Sequence, residues 1–212
     1  MSFYNYGQQQ RNILSSPTYV LIILNVLMFV VMAFPLLSGD LGDCTSLTCQ
    51  LMAQTGEAVF QGEYWQLLTS MFVHFGFLHI IFNMFALYYF GRLNETYFSP
   101  RSYLLIYFAS GFLGNLVSLF VLPVAVLSGG ASGAIFGLVG SYVAIARRAR
   151  HMGVALLYAV MMLIYSGVGV GGMDVNNFAH VFGFVGGLVV GLLLSRSRSG
   201  PEPGYSVTYT YG

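Results

Sequence analysis

Six apolar stretches, at about residues 19–37, 72–90, 103–121, 132–146, 152–170 and 178–194, leave this chain few folds to choose from. An α-helix needs about 20 residues to cross roughly 30 Å of hydrocarbon, and most of these stretches match or approach that length. Within a bilayer the backbone must satisfy its own polar groups, so such stretches fold as helices packed on one another. Only 7% of the 212 residues are charged, against about a quarter in soluble domains. The reading is an all-α polytopic membrane protein with six transmembrane helices. The first stretch is too long and too weakly flanked for a cleaved signal peptide.

Arginine orients the bundle. The chain has no lysine, and Arg11, Arg92, Arg101, Arg147, Arg148, Arg150, Arg196 and Arg198 all fall in the N-terminal segment, the second and fourth connections or the tail. Asp40, Asp43, Glu57, Glu63 and Asp174 fall in the opposite connections. The positive-inside rule places both termini in the cytoplasm, with the cell membrane as the location. The chain divides into a cytoplasmic segment 1–17, a bundle 18–195 with an outer loop 38–66, and a tail 196–212 that reads as disordered. The net charge of +1 says nothing about nucleic acid, and with no basic cluster to suggest it none is expected as a partner; the lipid bilayer is the expected partner.

Cys44 and Cys49 lie in the outer loop, where oxidation is permitted, and a disulfide between them is expected, with two free thiols as the alternative. They fit neither a zinc site nor a redox Cys-x-x-Cys pair. Asn94-Glu95-Thr96 matches a glycosylation acceptor but falls in a cytoplasmic connection, so it is expected to stay unmodified.

Chemistry concentrates at Gly129-Gly130-Ala131-Ser132-Gly133, which opens the fourth stretch. The first N–H groups of a helix lack partners in the preceding turn and, with the helix dipole, favour an anion beside the Ser132 hydroxyl. Helix packing by small residues is the competing account of Gly130, Ser132 and Gly133. Ser132 precedes Arg147 by 15 residues and His180 precedes Arg196 by 16, so both rise roughly 22–24 Å from the cytoplasmic surface. A nucleophile and its general base at one recessed depth form an economical dyad; a helix-joining hydrogen bond is the alternative for His180. There is no obvious third acid, since Asp174 reads as a loop-surface residue.

His79 and Asn83, four apart on one helical face, offer donors for an oxyanion alongside the Ser132 N–H. The rival for His74, His79 and His180 is metal binding, but no His-Glu-x-x-His and no carboxylate at ligand spacing accompanies them, so neither metal nor other cofactor is called for. Gly183 and Gly187 form a Gly-x-x-x-Gly step that lets the histidine's helix approach the serine's, with Gly133, Gly137 and Gly140 as the opposing face.

Tyr64-Trp65-Gln66-Leu67-Leu68-Thr69, His74, His79-x-x-x-Asn83, Gly91-Arg92-Leu93-Asn94-Glu95, Gly130-Ala131-Ser132-Gly133 and Ala179-His180-x-x-Gly183 together resemble the rhomboid intramembrane serine proteases, over roughly residues 15–195. The resemblance implies a six-helix rhomboid-like bundle that hydrolyses peptide bonds in or beside transmembrane segments. Ser132 is then the nucleophile and His180 the base, with His79, Asn83 and the Ser132 backbone as the oxyanion site. Trp65, His74, Glu95, Gly130, Gly133, Phe136, Gly183 and Gly187 take supporting places. Gln66 stands where an arginine is common, Phe136 where many relatives carry a tyrosine, and Val181-Phe182 is bulkier than usual.

The alternatives are an inactive rhomboid-like protein that escorts transmembrane clients, and a channel or transporter. The latter would call for charges inside the spans or paired broken helices. Expected substrates are single-span membrane proteins whose helices unwind at the cut, entering between the second and fifth spans under a movable cap at 170–177.

Overall fold

The computed structural model describes residues 15–33, 46–145 and 176–196, with single positions at 153, 157 and 160. The expectations for the fifth stretch, Cys44, Asp174, most of the 170–177 cap and both terminal segments lie outside the described residues. The described chain is helical, and strand pairing within it is confined to one bridge between Gln54 and Ser128.

Helix α1 (Pro17–Ala33) opens on Pro17, whose fixed φ and missing N–H suit a first helical position. Its start is completed from elsewhere: Glu95 accepts from the Thr18 N–H at 2.9 Å and from the Ser16 hydroxyl at 2.6 Å, and pairs with Arg92. A carboxylate at the positive end of a helix is favourable, so Glu95 latches the end of one helix to the start of another.

Much of the segment between α1 and the second apolar stretch, described from residue 46, is helical. Helices α2 (Leu47–Met52) and α3 (Gly56–Phe60) are capped by Ser46 and Thr55, and α4 (Gln66–Thr69) runs into a 3₁₀ turn at Ser70–Phe72. Helix α5 (Phe77–Glu95) then leaves at 94° to that segment. The second apolar stretch is therefore not one helix from 72. Gly76, at φ +145, turns the chain in a conformation that a side chain would strain, and the helix starts after it.

Helix α6 (Pro100–Val121) starts where Ser99 caps the Ser102 N–H and Pro100 takes a first-turn place. It and α8 (Asn177–Arg196) are long and apolar enough to cross a membrane, and the bent α4–α5 pair qualifies when taken as one span. Helix α1 is apolar but shorter, as is α7 (Ser132–Ile145).

Eleven of the fourteen residues of α7 are buried, with α5, α6 and α8 around it. A helix enclosed by protein need not span the hydrocarbon, and irregular backbone at its start is tolerated where protein satisfies it. The Gly130 N–H donates to Ser70 O at 2.9 Å, and Ser128 pairs with Gln54 in both directions. Phe90, Tyr103, Tyr107, Phe136 and Tyr142 fill the core around α7. Asn94 is fully buried, donating to Phe90 O and Leu138 O while its Oδ1 accepts from Ser141, which bars a glycan independently of topology.

Candidate functional site

Ser132 is the first residue of α7, and the turn before it depends on glycine. Gly130 sits at φ +131, and a Cβ there would stand 2.9 Å from His79 Nε2. The Ser132 N–H belongs to the first helical turn and has no acceptor in the preceding one. His180 is the fourth residue of α8 and is buried. Its Nε2 lies 2.8 Å from Ser132 Oγ, within hydrogen-bond reach, and accepts from the hydroxyl when the ring proton is on Nδ1.

Phe136, one turn into α7, stacks on the His180 ring with centroids 4.6 Å apart and planes within 16°. His180 Nδ1 is buried with no hydrogen-bond partner among the described residues. The ring plane is thus set by an aromatic face instead of the carboxylate that serves in a triad.

The glycines of the last apolar stretch bring the two helices together. A Cβ on Gly183 would run into the Gly133 carbonyl, one on Gly187 into that of Gly137, and one on Gly140 into that of Phe184. Gly114 of α6 seats the other side, since a Cβ there would meet Ala179 O at 2.5 Å. The backbone beside His180 therefore lies between Gly114 and Gly133. Gly114 escapes sequence reasoning because nothing in its apolar surroundings marks it.

His79 reaches the Ser132 turn from α5. Its Nδ1 accepts from the Phe75 N–H at 3.3 Å, which leaves Nε2 to carry the proton and face Gly130 as a donor. Phe75 stacks at 6.1 Å and His74 meets the ring edge-on at 5.0 Å. His74 is buried, with Nδ1 3.3 Å from Phe72 O and Nε2 unpartnered. Asn83 is differently placed: its Nδ2 donates back to His79 O at 2.9 Å, which commits one of its two amide hydrogens within α5. Its Oδ1 is buried without a partner.

The supporting residues lie further out. Trp65 is half exposed and donates its indole N–H to Leu51 O at 3.0 Å. Gln66 is buried; it accepts from the Thr55 N–H and donates to Gln50 O and Glu63. A neutral amide thus ties α2, α3 and α4 together. Glu95 holds α1, away from the dyad. Val181 points outward, 44% exposed. Cys49 is buried in α2.

The arrangement is equipped for acyl transfer: a hydroxyl beside an imidazole, a helix N-terminus and an adjacent N–H donor. Residues 61–197 match the family model described as "Rhomboid domain". The chain is 33% identical over 188 residues to "Rhomboid protease GluP" of Bacillus subtilis, covering 86% of this chain and 36% of that protein. It is 33% identical over 149 residues to "Putative rhomboid protease YdcA" of the same organism, covering 66% of this chain and 72% of that one. With "RHOMBOID-like protein 7" of Arabidopsis thaliana it shares 38% over 146 residues, 66% of this chain and 45% of the relative. The chain thus spans between about a third and three quarters of these relatives.

Proposed function

The chain belongs to the rhomboid family, and from that membership we propose that it is an intramembrane serine endopeptidase with Ser132 as nucleophile and His180 as general base. The observation that carries this reading is the 2.8 Å approach of Ser132 Oγ to His180 Nε2 at the N-terminal turns of two helices. As Oγ attacks the scissile carbonyl carbon, Nε2 takes the hydroxyl proton and later passes it to the leaving amine. Water then attacks the acyl-enzyme, giving its proton to the same nitrogen, and Ser132 is released. The carbonyl oxygen, negative in each tetrahedral intermediate, is received by the Ser132 N–H, the His79 Nε2–H and the amide hydrogen Asn83 does not give to His79.

In this reading six helices cross the cell membrane with both termini in the cytoplasm, and the site is recessed from the outer surface. Substrates are single-span proteins. An intact helix hides its carbonyls in internal hydrogen bonds, so clients carry glycine, proline or other weak helix formers at the cut. The Cys44–Cys49 disulfide belongs to the same proposal, and mapping of non-reduced peptides tests it: a linked peptide supports it and alkylation of both thiols removes it.

Purified wild type is expected to cut members of a panel of single-span substrates. Ser132→Ala and His180→Ala should cut none while staying folded. Cleavage by Ser132→Ala would overturn the assignment.

A further inference from the structure

Asn176 is the last residue before α8 and makes contacts in three directions. Its Oδ1 accepts from the Ala179 N–H at 3.0 Å, which caps the helix that carries His180. Its Nδ2 donates to Ser118 Oγ of α6 at 2.8 Å and to Ser128 Oγ at 3.3 Å. Ser118 and Ser128 are both buried, and Ser118 also donates to Gly114 O in its own helix.

Ser128 is itself fixed. Its N–H donates to Gln54 O at 2.8 Å and its carbonyl accepts from the Gln54 N–H at 2.9 Å, so its loop is pinned to the outer segment. Ser128 precedes Ser132 by four residues and Asn176 precedes His180 by four. One amide therefore joins the segment entering α7 to the segment entering α8, on the side of the dyad away from the Gly183 contacts. Capping accounts for the Ala179 contact alone; it leaves the contacts with Ser118, which lies within 3.0 Å of both amide atoms, and with Ser128 unexplained.

We infer that Asn176 is a positioning residue for the dyad, holding the start of the His180 helix in register with the Ser128 loop so that Nε2 meets Ser132 Oγ. This rests on the protease reading above. The glycine contacts set how closely α7 and α8 approach, while the Asn176 tie sets their relative slide along the seam. A shift of about 1 Å at the reacting pair is enough to lower a rate on the order of 10²-fold.

The test separates the cap from the tie. Asn176→Ser keeps a good capping oxygen but is too short to reach Ser118 and Ser128. Ser128→Ala breaks the tie from its other end without touching the cap. Each should lower kcat roughly 10- to 100-fold, with KM unchanged and the protein still folded at the assay temperature. Each should also slow labelling of Ser132 by a fluorophosphonate, a reaction that needs no substrate, in the same ratio. The double variant should be no slower than Asn176→Ser alone, because the Ser128 contact is already lost in that variant. Wild-type kcat in either single variant, or additive losses in the double, would overturn the inference. The protease reading fails separately, when the wild type itself is not labelled at Ser132.

Discussion

The two helices that flank the Ser132 turn are held in opposite ways. Helix α8 lies against α7 backbone to backbone, with Gly183 and Gly187 on one side meeting Gly133 and Gly137 on the other. Helix α5 approaches the same turn through side chains: the His79 imidazole beside Gly130, supported by the Phe75 ring and the Phe75 N–H. Its N-terminal half exposes Phe77, Leu78, Ile81 and Phe85, and its firmest attachments, Asn94 and Glu95, are at the C-terminal end. The position of His180, the proposed base, is thus a property of the main chain, and that of His79, a proposed oxyanion donor, a property of side chains. Damage to the first should be abrupt and damage to the second graded.

Gly183→Val should give the largest effect. Its side chain must displace the Gly133 backbone, and overpacking of this kind costs about 1–3 kcal/mol before the shift of His180 is counted. Cleavage should fall below detection and thermal unfolding should start earlier; cleavage at the wild-type rate would break the comparison.

Asn83→Ala comes next, with kcat down on the order of 10²–10³ if its remaining amide hydrogen serves the oxyanion as such donors do in soluble proteases. Fluorophosphonate labelling should still require His180, which separates loss of a donor from loss of the base. Phe136→Ala should follow, lowering kcat roughly 10- to 100-fold by freeing the ring plane of His180. Phe136→Tyr keeps the stacked ring and should restore most of that rate. Steady-state kinetics on one substrate checks all three.

The smallest effect on rate belongs to the far end of α5. Glu95→Gln removes a charged acceptor from the start of α1 and should cost about 1.5–3 kcal/mol of stability with kcat unchanged. A loss of kcat larger than the loss of folded protein would show that α1 and the dyad are coupled, contrary to the division drawn above.

Much of this arrangement is legible in the chain itself. Helical rise alone puts Ser132 and His180 at one height, whereas α6 starts at Pro100, three residues before the apolar stretch read for it. The glycine spacing of 183 and 187 announces a close helix pair, and its partners are the glycines read from the same pattern. The bend before α5 is hidden because 71–82 is almost continuously apolar, and hydropathy does not register direction; only Gly76 hints at it. Gly114, Ser118 and Ser128 stay invisible for a different reason. Each acts through a partner dozens of residues away, and a small residue in a membrane helix has an ordinary packing role wherever it sits. Asn176 carries a readable capping signal, but the cap is only one end of what it does.

The most direct measurement is the site and requirement of covalent labelling. Purified protein treated with a fluorophosphonate should carry one adduct, mapped by peptide mass spectrometry to Ser132, and folded His180→Ala should carry none. An adduct on another serine, or equal labelling of Ser132 without His180, would contradict the account.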